Sequence, residues 1–104
     1  MEKGYSQEKL IILHPKDNVG IIKRDVKESE MLVIEDEKYK NSIKVREDIP
    51  YRFKIALKDI HAGEEIVKIG EIIGKAKKEI KKGEMVHVHN IEGLRGRGDL
   101  QSKE

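Results

Sequence analysis

A short unit that occurs three times constrains this 104-residue chain more than any other feature. Asp59-Ile60-His61-Ala62-Gly63-Glu64 and Glu79-Ile80-Lys81-Lys82-Gly83-Glu84 are two copies, and Asp25-Val26-Lys27-Glu28-Ser29-Glu30 is a degraded third. The shared pattern is acid, aliphatic, two polar or small residues, Gly or Ser, then Glu. An aliphatic follows two positions later. It predicts a tight turn whose glycine supplies a positive φ, entering a strand at once. The aliphatic residue before the turn is expected to plug the core beneath it, and the acids to be structural rather than catalytic. Counting from Asp25 to Asp59 to Glu79, the copies stand 34 and then 20 residues apart, which excludes a solenoid array. The unit is a turn device reused inside one small β domain.

Between the turns lie short apolar runs at residues 10–13, 19–22, 31–34 and 43–46, the last with clean alternation. Residues 35–41 read as a solvated connection. Two stretches, 54–59 and 76–80, are candidates for short helices, so the expected architecture is mainly β with short helical turns. One Phe, three Tyr and no Trp leave an aliphatic core. A polar segment at 1–9, one domain at 10–92 and a Gly/Arg-containing tail at 93–104 are the expected divisions.

Composition removes several classes. Lys plus Arg (22) nearly balances Asp plus Glu (20), with the signs interleaved, which argues against a nucleic-acid partner. The absence of cysteine excludes disulfides, thiolate zinc sites and cysteine nucleophiles. No apolar run approaches the roughly 18–20 residues of a membrane span, and residues 1–9 lack a secretory stretch. A cytoplasmic protein without a membrane partner is expected.

The segment carrying chemistry is His87-Val88-His89-Asn90, directly after the third turn. On an extended strand His87 and His89 would project to one side, their Cα atoms about 6.5 Å apart. Two imidazoles and the Asn90 amide could then converge on one metal ion or substrate, and imidazole suits proton transfer near neutral pH. The plain alternative puts both histidines on the wet face of a half-buried strand. His14, before Pro15, reads as a strand-end residue, and His61 as an exposed turn residue. Arg97-Gly98-Asp99 and Arg95-Gly96-Arg97-Gly98 read as tail sequence, not as recognition motifs, and the lysines at 75–78 and 81–82 as a solvated face. No phosphate-binding glycine loop is present.

Residues 55–64 resemble the SAF module shared by sialic acid synthases and antifreeze proteins. The stretch from Val67-Lys68-Ile69-Gly70 to His87-Val88-His89-Asn90 narrows this. It resembles the amino-terminal module of altronate and galactarate dehydratases and the small subunit of sulfolactate sulfo-lyase. Leu13-His14-Pro15-Lys16-Asp17-Asn18-Val19 and Arg95-Gly96-Arg97-Gly98-Asp99-Leu100 are similar to that group too. The resemblance implies a β-clip fold. It also implies a small lyase subunit that removes water from a sugar acid, or bisulfite from sulfolactate, in a site completed by a large subunit. In that reading His87, His89, Asn90 and Lys54 are catalytic, with His87 and His89 also metal ligands. Lys68, Arg95 and Arg97 bind the acid. A divalent metal, iron(II) or manganese, is implied, held mainly by the large subunit. The lone chain is expected to be inactive and able to self-associate. The other reading is a stand-alone binding module for sugar acids or related anions. Departures from the family pattern are Arg52 for a glycine, Phe53 for a histidine and Ser29 for a glycine in the earliest turn.

Overall fold

In a computed structural model describing residues 4–35 and 40–93, every regular element is a β-strand. A central antiparallel sheet is built from β1 (Tyr5–Ser6), β2 (Leu10–Ile12), β3 (Val19–Ile22), β6 (Lys54–Ala56) and β9 (Met85–Val86), adjacent in that order. A hairpin of β4 (Met31–Glu35) and β5 (Lys40–Lys44) stands apart from it, as does a smaller sheet. The latter orders β10 (Ile91–Gly93), β8 (Glu71–Ala76) and β7 (Glu65–Lys68). The fourth apolar run thus pairs earlier than its alternation suggests, because Met31↔Lys44 and Glu35↔Lys40 fix the hairpin register.

Period-two alternation divides the core into two apolar clusters. One face of the central sheet gives Leu10, Ile12, Ile22 and Ile55 to a cluster with Leu32, Ile34 and Ile43 of the hairpin. The other face gives Val19, Ala56 and Val86 to a cluster with Ile66 and Ala76 of the smaller sheet. Full burial of each Ile, Leu or Val side chain contributes about 1.5–3 kcal/mol, an upper value because unfolded chains already bury some surface.

The described residues contain no helix, which corrects the expectation for residues 54–59 and 76–80. Lys54–Ala56 is a central strand held between β3 and β9, and Ala76 closes β8. So short a helix cannot offset its nucleation cost where residues 54–56 and Ala76 already pair across strands.

The repeated unit forms the turn its sequence predicts. Ser29, Gly63 and Gly83 have φ of 76°, 90° and 94°. In each copy the final Glu N–H donates back to the third residue's carbonyl: Glu30 to Lys27, Glu64 to His61 and Glu84 to Lys81. The same Glu's carboxylate accepts that third residue's N–H at 2.8–2.9 Å. The plugs Val26, Ile60 and Ile80 are buried. A fourth unit, Asp48-Ile49-Pro50-Tyr51-Arg52-Phe53, has the same backbone. Arg52 has φ 82°, and the Phe53 N–H donates to the Pro50 carbonyl.

The four turns assemble as two clasps. Val26 bridges Ile49, and Ile60 bridges Ile80, each through a reciprocal pair of N–H to C=O bonds. In the first clasp the leading acids hook across: Asp25 accepts the Tyr51 N–H, and Asp48 accepts the Glu28 N–H. In the second, Asp59 accepts the Lys82 N–H, but Glu79 grips the His61 ring at 2.9 Å. Its longer side chain carries the carboxylate out to the imidazole.

Candidate functional site

Strand β9 stops at Val86, and residues 87–90 form a turn rather than an extended strand. The cause is Asn90, only 2% exposed. Its Oδ1 accepts the His87 N–H at 2.9 Å and its Nδ2 donates to the Met85 carbonyl at 2.8 Å. The Asn90 and Ile91 N–H groups both return to the His87 carbonyl. This corrects the expectation that two imidazoles and the amide converge from one strand face. The Asn90 amide is engaged at both ends and braces the turn, with Val88 (69% exposed) at its outside. His89 is exposed. His87 is half-buried, its ring centroid 4.6 Å from that of Phe53 at an interplanar angle of 54°. Phe53 therefore packs on one of the two histidines.

Among the described residues no group of three or more His, Asp or Glu side chains comes together to hold a metal ion. A stable divalent site needs more protein ligands than two turn histidines supply. The described part of the chain therefore does not by itself fit a resident metal.

Lys54 and Lys68 are close enough for the charge of one to act on the other. Lys54 pairs with Ile21 and Val86, so its side chain leaves the central sheet on the Val86 face, beside the second apolar cluster. Lys68 shares the side of β7 that buries Ile66 in that cluster. Burial, and then the positive charge of Lys68, hold the Lys54 ammonium below the ordinary lysine range. Neither lysine is ion-paired with a carboxylate among the described residues. Phe53 and His87, one position out in each strand, belong to the opposite face by the same alternation, and Phe53 packs on the first cluster. Lys54 and the Phe53–His87 ring pair thus lie on opposite faces of the sheet. Arg95 and Arg97 lie outside the described residues.

The far side of β7 shows the contrast. There a depression of about 460 Å³ is bordered by Lys58, Lys75, Glu64 and Glu65, so its charges offset one another. Sequence reasoning took residues 14–18 only as a turn. In the structure they clamp the tip of the β7–β8 hairpin, Ile69-Gly70, whose residues both have positive φ (55° and 71°), as a two-residue type I′ turn requires. Asp17 accepts the Ile69 and Gly70 N–H groups, and Asn18 holds the Glu65 carbonyl and the Val67 N–H. The signal for a turn was present in His14-Pro15-Lys16-Asp17-Asn18. Its partner, about half the chain away, was not.

Comparison with known proteins places these features. Residues 8–94 match the family described as the altronate/galactarate dehydratase SAF domain. The chain is 42% identical over 80 residues to altronate dehydratase of Bacillus subtilis, covering 77% of this chain and 15% of that protein. It is 31% identical over 88 residues to (2R)-sulfolactate sulfo-lyase subunit alpha of Chromohalobacter salexigens, covering 81% and 94%. Altronate dehydratase of Escherichia coli is 32% identical over 80 residues, again covering 77% of this chain and 15% of that protein. The chain thus corresponds to about one seventh of the two dehydratases and to nearly all of the sulfo-lyase subunit. No helix among the described residues is long and apolar enough to cross a membrane.

Proposed function

Since the chain belongs to the altronate/galactarate dehydratase SAF domain family, we propose that it is the small component of a lyase acting on a hydroxylated acid. Water or bisulfite is expelled in a site that a larger polypeptide completes. The observation carrying this reading is the Lys54–Lys68 pair: two cations, one partly desolvated, neither ion-paired with a carboxylate among the described residues. Such a pair favours an anion of the size of a carboxylate or sulfonate.

Elimination from a hydroxy acid takes a proton from the carbon beside the carboxylate. Its electron pair becomes the new C=C bond, and the leaving group departs with a pair of its own. Negative charge accumulates on the carboxylate during proton removal, so cations fixed beside it lower the barrier. In this proposal Lys54 and Lys68 hold the carboxylate. His89, exposed beyond β9, moves a proton at the opening between this chain and the larger one, while His87, seated on Phe53 across the sheet from Lys54, anchors the turn that carries His89. Asn90 positions the His87–Asn90 turn and does not touch substrate, because both ends of its amide are engaged. Arg95 and Arg97 add positive charge beside the substrate acid. A divalent ion, iron(II) or manganese, is held in this reading by the larger polypeptide. The location is the cytoplasm.

The test is co-expression with a candidate large chain and assay against altronate-like, galactarate-like and sulfolactate-like acids. Turnover is expected from the pair and not from the small chain alone. Lys54→Met is expected to lower kcat/KM by roughly tenfold to a hundredfold, the range for losing a charge-assisted hydrogen bond. Full activity in His89→Ala would remove the histidines from the mechanism. An inert pair in which the small chain still binds sugar acids would favour the stand-alone binding module.

A further inference from the structure

The reaction proposed above leaves His14 without a task, yet the structure builds a seat for it. Its Nδ1 accepts the Lys16 N–H at 3.0 Å. A nitrogen that accepts from a backbone amide cannot carry a proton of its own. The neutral ring is thereby held as the tautomer protonated at Nε2. The Cδ2, Nε2 and Cε1 atoms rest 3.1–3.2 Å from where a Cβ on residue 70 would stand. Gly70 therefore makes room for the imidazole, as well as adopting φ 71° at the hairpin tip.

That tip is the turn directly after Lys68. Asp17, three residues beyond His14, locks the same turn by accepting the Ile69 and Gly70 N–H groups at 3.0 and 2.8 Å. Ile69 is β-branched and 57% exposed at φ 55°, a conformation such a residue adopts only when its surroundings impose it. The chain thus accepts backbone strain and dedicates a carboxylate to fix the hairpin end that carries Lys68 and supports His14. No hydrogen-bond partner for His14 Nε2 is present among the described residues.

We propose that His14, Lys54 and Lys68 together form an anion-binding site within this chain, recognising a 2-hydroxycarboxylate. The two ammonium groups take the carboxylate, and His14 Nε2–H donates to one of its oxygens or to the neighbouring hydroxyl. Asp17 and Asn18 are positioning residues, acting through the hairpin. The inference extends the lyase reading by naming a third substrate-contacting residue and assigning the acid to this chain. It rests on that reading only for the ligand's class.

The experiment titrates the full chain with glycolate, with inorganic sulfate as a second probe, and follows the His14 ring and backbone amides by NMR. Glycolate is expected to shift His14 and the residue 68–70 amides with a millimolar dissociation constant. Sulfate should compete more weakly, because it lacks the adjoining hydroxyl. His14→Asn is the informative variant. Its Oδ1 can keep the bond from the Lys16 N–H as an Asx-turn while the Nε2 donor is lost. It should fold with an unchanged Lys16 amide signal and bind glycolate roughly tenfold more weakly, as for one hydrogen bond to a charged group. Lys68→Met should weaken glycolate and sulfate alike. Unaltered glycolate binding in folded His14→Asn would overturn the role of His14. Equal binding of sulfate and glycolate, both insensitive to His14→Asn, would reduce the site to a lysine pair. No anion-dependent shift at residues 14, 54 or 68–70 would overturn the site altogether, while turnover by the two-chain enzyme would leave the lyase reading standing.

Discussion

The clasp of residues 25–30 with 48–53 and the clasp of residues 59–64 with 79–84 share one backbone wiring but not the same corner residues. Ser29 and Arg52 occupy positive φ in the first, Gly63 and Gly83 in the second. Both therefore form because the surrounding bonds require the corner. Glycine only reduces the cost of adopting it, which for other L-residues is about 1–2 kcal/mol. The hooks differ as well. The first clasp holds both crossing amides with aspartates, while the second spends Glu79 on the His61 ring.

The largest expected effect separates the two glycines of the second clasp. A Cβ at residue 83 would run into the Lys44 carbonyl, whereas one at residue 63 meets nothing within 4 Å. Gly83→Ala should lose about 3 kcal/mol or more of unfolding free energy, and Gly63→Ala only about 1 kcal/mol, by chemical denaturation. Equal losses would mean that β5 does not press on the third turn.

Next come the hooks. Asp25→Ala or Asp48→Ala strips a backbone N–H of its charged acceptor and should cost about 1–2 kcal/mol. Glu79→Ala, which frees no such amide, should cost less. A loss at Glu79 matching that at Asp48 would erase the distinction between the clasps. A smaller gain is expected on replacing the poor corner residues. Arg52→Gly should stabilise by about 0.5 kcal/mol, left-handed strain relieved less the entropy that glycine adds to the unfolded chain. Destabilisation instead would show that Arg52, 5.0 Å over the Tyr51 ring, contributes more there than its backbone costs.

The smallest effect is a pH dependence confined to the second clasp. The hydrogen bond and charge of Glu79, then Glu64, raise the His61 pKa above its ordinary 6.5. A raised folded-state value favours the protonated form, so this contribution is complete below 6.5 and vanishes as pH rises through the folded value. The Tm difference between the wild type and His61→Gln should therefore be largest in mild acid and close on alkaline titration. A gap independent of pH would sever the pair. Glu30, whose carboxyl is lowered by its bond with Lys9 and then by the Lys27 N–H, runs the other way. Its contribution is present above the ordinary 4.5 and fades as pH falls through the folded value.

Much of the fold was legible in local pattern. Three turns could be read because glycine or serine, the capping Glu and the aliphatic plug sit at fixed offsets, and a type II-like corner depends on those neighbours alone. The fourth could not, since Asp48-Ile49 keeps the hook and plug while Arg52 and Phe53 replace the corner and cap. Residues 54–56 looked helical because cross-strand pairing with Ile21 and Val86 is invisible in a local window. The segment 87–90 was misread in its geometry. Alternation of His87-Val88-His89 suggests a strand, but burial of Asn90 closes the segment into a turn.

The sequence by itself determined the aliphatic β character, the reused turn and the family, because each is carried by residues close together in the chain. Tertiary structure decided that Lys54 leaves the central sheet on the face opposite Phe53 and His87, within reach of the charge of Lys68. It also decided that Asp17 reaches Ile69 and Gly70. Those pairings depend on sheet order and register, which bring distant residues together and which no local pattern encodes.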